Sequence, residues 1–385
     1  MNHKVCVYAI CKNELKFVEQ FLTYAAEADY IVVLDTGSDD GTYEALKEDP
    51  RVTRVEQKVI TPWRFDVARN ESMKLIPEDA NICVSVDFDE FYEPGWSDVL
   101  REKWDDSKHY MAHYRYAWNH DDQGNPIKVF TYEKIHSRDG WTWEYPVHEC
   151  LVPIGAPIDD AKILDLMDDN VYLHHFQDRE KARSSYFTLV ELRAKENPDD
   201  IQTLIHLVHE YLYNQRYEEC GNLVDRMLEQ FKVEFSDRPD IVNSLYLFRG
   251  DSEFARNLFG KAAESYRAAI QIEPSFTEPY VPLGQLYSFK HMYSQAIEAY
   301  EQALSKSTRY FTWFRRDESY KDETIYDQLS CAYACMGDYD KAFVNVHKAL
   351  FFDAKNERYL MNLEFINEHL FADMYKRAEN SVGIT

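Results

Sequence analysis

Residues 80–92 read ANICVSVDFDEFY, and the architecture turns on them. An apolar run, Ile82 to Val86, stops abruptly at Asp87, Phe88, Asp89 and Glu90, and two aromatics follow. The run has the length and composition of a strand buried on both faces. Three carboxylates within four residues repel one another. Either they lie in solvent as an acidic turn, or positive charge sits among them.

Working outward, the first 175 residues alternate short apolar runs with amphipathic stretches. VCVYAIC (5–11) and YIVVLD (30–35) read as buried strands, and a third is expected near RVTRVEQ (51–57). Between them, NELKFVEQFLTYAAEA (13–28) places Leu15, Val18, Leu22, Ala25 and Ala26 at helical spacing. YEALKED forms a short helix after the turn TGSDDGT (36–42), and WRFDVARNESMKLI (63–76) forms another. This alternation predicts a Rossmann-like α/β unit with a mostly parallel sheet. In such sheets ligands bind beyond the strand C-terminal ends. Asp35 and Asp87 each end a strand and are expected to face one crevice.

From about residue 180 the pattern becomes helical with a period near 34. Tyr246, Gly250, Ala262, Tyr266 and Ala269 are matched by Tyr280, Gly284, Ala296, Tyr300 and Ala303. A further unit carries Tyr326, Leu329, Tyr333, Ala342 and Ala349, and a weaker one begins near Ile201. These residues resemble the tetratricopeptide repeat, an array of antiparallel helix pairs. The domains are accordingly expected at 1–178 (α/β) and 179–385 (all-α repeat solenoid). An insertion is expected at 306–322, and a terminal cap with a polar outer face at 357–375.

Bulk properties narrow the partners. The chain of 385 residues carries a net charge of −25, which disfavours nucleic acid and anionic membranes. A divalent cation or a basic peptide suits it better. No apolar stretch approaches the roughly 20 residues of a membrane span, and the N-terminal run is too short for a signal peptide. The seven scattered cysteines contain no CxxC pair and read as reduced thiols, so a cytoplasmic protein is expected.

Hard cations such as Mn2+ or Mg2+ take carboxylate oxygens and often bridge them to substrate phosphates. Asp87 and Asp89, on one side of an extended segment, could share such an ion. CVYAICKNE, VVLDTGSDDGT, WRFDVARNES and VSVDFDEFY, in that order, resemble family 2 glycosyltransferases of the GT-A fold. WEYPVHEC (143–150) and YLHHF (172–176) resemble later motifs of bacterial members that carry tetratricopeptide repeats. Within that group the chain is similar to peptide S-glycosyltransferases of glycosylated bacteriocin biosynthesis.

The resemblance implies a metal-dependent, inverting transfer from a UDP-sugar. It gives Asp35 and Arg69 to the nucleotide, Asp87 to ribose or metal, and Asp89 and His175 to the metal. Glu149 becomes the candidate general base, with Asp139 as fallback. Asp39 and Asp40 read as turn or cap residues, and Trp118, Trp141 and Trp143 as core. His174 neighbours His175, and since adjacent histidines do not readily share one ion, one of the two is expected to be structural; the resemblance aligns best with His175 as the ligand. A peptide or protein acceptor held by the repeats is expected, and the repeats leave a homodimer open. Alternatives are a cell-surface glycan or lipid-carrier acceptor, and a repeat scaffold with an inactive nucleotide-binding domain. A nucleotidyltransferase is disfavoured because AICKNE lacks the glycine-rich loop.

Overall fold

The computed structural model describes residues 3–121, 123–176, 186–306 and 321–382. The expected boundary at 178/179 and nearly all of the expected insertion at 306–322 lie outside them. The chain divides into two compact units, Met1–Arg193 and Ala194–Thr385.

In the first unit the strands are β1 Val5–Cys11, β2 Tyr30–Asp35, β3 Arg54–Gln57, β4 Ile82–Ser85, β5 Glu90–Tyr92 and β6 Met111–His120. They continue as β7 Pro126–Ser137, β8 Trp141–Glu144, β9 Cys150–Pro153, β10 Ile163–Asp165 and β11 Tyr172–His175. The main sheet runs β3-β2-β1-β4-β7-β6-β11-β5, with β10 beside β6, while β8 and β9 form a separate pair. The sheet is mixed: among the described residues, five of its eight strand pairings are parallel. From β3 to β4 every pairing is parallel, whereas β7 is antiparallel to both β4 and β6, and β5 to β11. Strands β6 and β7 are consecutive in the chain and pair with each other directly, and a hairpin forces its two arms antiparallel.

Helices α1 Val18–Ala25, α2 Thr42–Glu48, α3 Phe65–Met73 and α4 Trp96–Lys103 accompany the sheet. Strand β1 shows why both faces must be covered. Val5, Val7, Ala9 and Cys11 enter one core with Phe21, Leu22, Trp96 and Leu100. Cys6, Tyr8 and Ile10 enter the other with Ala68, Leu75 and Ile76. Alternate residues of a strand face opposite ways, so a strand apolar at every position needs helices on both sides. Each fully buried Val, Leu, Ile or Phe among them contributes about 1.5–3 kcal/mol.

Helix α5 Tyr186–Glu196 crosses the division between the units. The second unit is all-α. It pairs α6 Ile201–Tyr213 with α7 Tyr217–Gln230, and α8 Pro239–Ala255 with α9 Phe259–Ile272. Next come α10 Tyr280–Phe289 with α11 Tyr293–Ser305, α12 Asp322–Cys335 with α13 Tyr339–Phe352, and then α14 Glu357–Val382. Gln215, Asn257, His291 and Gly337 hold positive φ, each two residues before the second helix of its pair. One left-handed residue thus reverses the chain in every unit. Ala262, Ala296, Ala303, Ala342 and Ala349 are buried at the helix crossings.

The expected polar outer face of the terminal cap is not found. Helix α14 buries Tyr359 and Ile366, but Met361, Phe365, Phe371, Met374 and Tyr375 remain exposed. The apolar residues are too many for one stripe, so a second stripe faces outward.

Candidate functional site

Strands β2, β1 and β4 are parallel, so their C-terminal ends share one edge of the sheet. The carboxylate of Asp35, which ends β2, is fully buried. Its Oδ1 accepts from the N–H groups of Gly37 (2.9 Å) and Ser38 (2.8 Å) and from Gln57 Nε2 (3.0 Å). Burial opposes ionisation, but the bonds from Ser38, Gln57 and Gly37 outweigh it and hold the carboxyl below its usual range. Asp35 therefore ties down the loop that follows it. Asp40 accepts from the Thr42 N–H at 3.0 Å, ahead of α2, and Asp39 from Asn13 Nδ2 at 2.8 Å. Both are turn residues, as expected.

At the end of β4 the acidic knot meets positive charge from the chain itself. Arg69, one turn into α3, is buried with 3% of its side chain exposed. Its Nη2 reaches both oxygens of Asp87, at 2.9 and 3.0 Å, and its Nε donates to Glu149 Oε1 at 2.6 Å. Nη1 donates to Ser85 Oγ at 3.1 Å, and the guanidinium lies over the Trp143 ring at 5.0 Å. The neighbouring carboxylates Asp66 and Glu71 pair with Arg64, and with Lys58 and Lys74, respectively.

Lys134, on β7, supplies the second cation. Its Nζ lies 3.3 Å from Asp87 Oδ2 and 3.9 Å from Glu90 Oε1. Register explains its position: Val84 faces Ile135, and one further step along β4 toward Asp87 brings Lys134. Burial opposes the charge on Arg69 and on Lys134, but Asp87 with Glu149, and Asp87 with Glu90, hold their pKa values well above the ordinary ones. For Asp87, burial is outweighed by Arg69 and Lys134, which hold its carboxyl well below the usual range.

Glu90 is buried rather than exposed. It accepts from the Asp87 N–H and from Tyr116 OH, both at 3.0 Å, and so closes the DFDE turn. Burial pushes its carboxyl up; Lys134 opposes this and the charge of Asp87 adds to it.

Asp89 points elsewhere. Its Oδ2 faces His175 Nε2 at 3.5 Å, with 16% and 11% of the two side chains exposed. Strand β11 runs beside β5, with His175 opposite Glu90, which brings the two together. The Trp118 carbonyl, 3.2 Å from His175 Nδ1, can only accept, so Nδ1 is the donor and Nε2 is left facing Asp89. Such an outer partner orients a histidine for metal binding. Burial opposes protonation of His175, but Asp89 raises its pKa above the ordinary value. His174 faces the other way, as strand alternation requires. It meets His120 Nε2 at 2.8 Å and Glu93 Oε1 at 3.2 Å.

Among the described residues no group of three or more His, Cys, Asp or Glu side chains could hold a metal ion. A hard cation commonly takes one or two protein ligands and completes its shell with water and substrate phosphate. Asp89 and His175 fit that pattern; Asp87, with both oxygens committed to cations, does not.

Glu149 arrives from the turn 145–149, in which Tyr145 (φ 80°) and His148 (φ 50°) are left-handed. Non-glycine residues rarely adopt that region. The Pro146 carbonyl accepts from the Phe65 N–H at 3.1 Å, docking the turn on the start of α3. The site thus unites Arg69, Asp87 and Glu149.

Asp139 is not part of the site. Strand β7 is antiparallel to β4 and Ser137 faces Ile82, so Asp139 lies at the opposite edge of the sheet. There, 84% exposed, it pairs with Arg138, and with Tyr110, Trp141 and Pro157 it lines a cavity of about 550 Å³. Trp141 and Trp143 are core residues, as expected. Lys134, Ser85 and Tyr116 went unrecognised in the sequence. The one available signal was a lysine abutting Ile135 in an otherwise alternating strand.

A tetratricopeptide-repeat family model matches residues 277–305. Protein O-mannosyl-transferase TMTC1 of Homo sapiens is 27% identical over 94 residues, 24% of this chain and 10% of that protein. The Mus musculus protein of the same name is 25% identical over 91 residues. The chain thus spans about a tenth of the length of the curated relatives it matches. Among solved structures, a thermophilic tetratricopeptide-repeat protein of Thermus thermophilus is 18% identical, with a TM-score of 0.36, over 49% of this chain and 90% of that one. The C-terminal part of a repeat protein from Cytophaga hutchinsonii is 14% identical, with a TM-score of 0.40, over 49% and 67%. No helix among the described residues is long and apolar enough to cross a membrane.

Proposed function

We propose that the chain is a glycosyltransferase of the GT-A type, related to family 2, that moves a sugar from a UDP-sugar to a peptide or protein acceptor with inversion. The observation that carries this is the convergence of Arg69, Asp87 and Glu149, on α3, after β4 and before β9, beside the Asp89–His175 pair. The partial similarity to a protein O-mannosyl-transferase agrees with sugar transfer.

Asp89 and His175 would hold the cation. A divalent ion such as Mn2+ or Mg2+, when bound, supplies positive charge against the developing charge of the diphosphate leaving group. Asp35 secures the loop 36–41 that floors the nucleotide pocket. Arg69 works from beneath: four of its five N–H donors go to Glu149, Ser85 and Asp87, so it positions these groups, and Asp87 is left to meet the ribose with its exposed edge. Glu149, oriented through Oε1, takes the acceptor proton as the acceptor attacks the anomeric carbon. The repeats hold the acceptor or a second subunit.

The test is release of UDP from a UDP-sugar. Asp89→Ala is expected to lower turnover by about 100–1,000-fold, the scale of one electrostatic group, with the circular dichroism spectrum unchanged. A folded variant that keeps near-full turnover would sink the metal assignment.

A further inference from the structure

We propose that Lys134 is a positioning residue that keeps Asp87 out of the cation's ligand set, leaving Asp89 and His175 as the ligands the chain supplies. The inference rests on the nucleotide-sugar reading above. Glu149, Arg69, Asp87, Lys134 and Glu90 form a chain of alternating sign, with separations of 2.6, 2.9, 3.3 and 3.9 Å. Only 8% of the Lys134 side chain is exposed, and its Nζ stands 4.9 Å from the centre of the Tyr132 ring. Its charge is held where water screens it little. A carboxylate has about four lone-pair sites. At Asp87, Arg69 and Lys134 already make three close contacts with them.

A metal ion approaching Asp87 must displace or face two fixed positive charges. At Asp89 it meets an imidazole nitrogen whose partner nitrogen is bonded to a carbonyl. Without Lys134 the five-group chain drops from a formal charge of −1 to −2, and one lone-pair site on Asp87 Oδ2 is freed while Arg69 keeps its bond to that oxygen. Both changes favour a cation.

The experiment uses the full chain and Mn2+ alone, with free ion followed by electron paramagnetic resonance and melting temperature recorded in parallel. Lys134→Met is expected to bind Mn2+ about tenfold more tightly than the unmodified protein, and Lys134→Arg within about twofold of it. Adding Asp87→Asn to Lys134→Met is expected to cancel the gain. A folded Lys134→Met with unchanged Mn2+ affinity overturns the proposal, as does a gain that survives Asp87→Asn. Should Lys134→Met unfold, Asp87→Asn alone decides. Affinity kept within about twofold supports the proposal, and a loss of about tenfold or more overturns it. An unmodified protein that binds no Mn2+, with or without UDP, fails the nucleotide-sugar reading itself. That result is distinct from a Lys134 failure, in which Mn2+ still binds and is lost in Asp89→Ala.

Discussion

Arg69 is almost wholly removed from water and answers two carboxylates at once. Truncating one partner of such a network leaves the others buried and uncompensated, and this loss exceeds the net value of the pairing. Arg69→Met is expected to cost about 3–5 kcal/mol in urea denaturation. Arg69→Lys, which keeps charge but loses the fork, is expected to cost less. A change below about 1 kcal/mol for Arg69→Met would mean that the network is solvated.

His136 belongs to the same core, bonded through Nε2 to Tyr8 OH at 2.8 Å and through Nδ1 to the Ser137 carbonyl at 2.8 Å. Burial pushes its pKa down from 6.5 to about 4, partly offset by that carbonyl. The unfolded chain therefore binds this proton more readily than the folded one. The stabilisation is complete above pH 6.5 and is lost as the pH falls toward 4, on the order of 3 kcal/mol. His136→Gln is expected to flatten that part of the stability profile. An unchanged slope between those pH values would show that His136 titrates alike in both states.

At the scale of elements, the repeat helices meet through glycine and tyrosine. A Cβ at Gly284 of α10 would stand 2.6 Å from Tyr300 Cε1 of α11, whereas one at Gly260 of α9 meets nothing within 4 Å. Gly284→Ala is expected to destabilise by about 1–3 kcal/mol through overpacking. Gly260→Ala is expected to stabilise by about 0.5–1 kcal/mol through helix propensity. Equal effects would show that Tyr300 moves aside freely.

The same contrast explains what was legible beforehand. β1 and β2 match their apolar runs residue for residue, because double-sided burial leaves no polar position to blur them. The repeat period was legible because the crossings demand small residues at fixed spacing. The β6–β7 arm carries no such run, since it is half exposed and β7 pairs with β4, distant in sequence. Lys134 was missed for that reason: nothing local to TYEKIHS states that a carboxylate 47 residues away needs it. The repulsion in DFDE was legible, but half of its answer was not. The chain supplies two cations for Asp87, and under the function proposed above Asp89 and His175 are the pair that would take an ion from outside.

At the scale of the molecule, a chain of net charge −25 pairs a mixed α/β sheet with a helical repeat array. It places the buried cations Arg69 and Lys134 at the sheet edge where Asp87 follows β4. A merely structural network would stabilise the fold without distinguishing one nucleotide sugar from another. The most direct measurement is a panel of nucleotide sugars incubated with the purified protein and Mn2+, scored by release of free nucleoside diphosphate, with Asp89→Ala and a chelator alongside and binding of UDP read in the same samples. The account predicts that one UDP-sugar turns over and that this is lost in the variant and with the chelator. Absence of turnover together with absence of UDP binding would contradict it, and would leave the chain a repeat scaffold whose α/β unit serves another purpose.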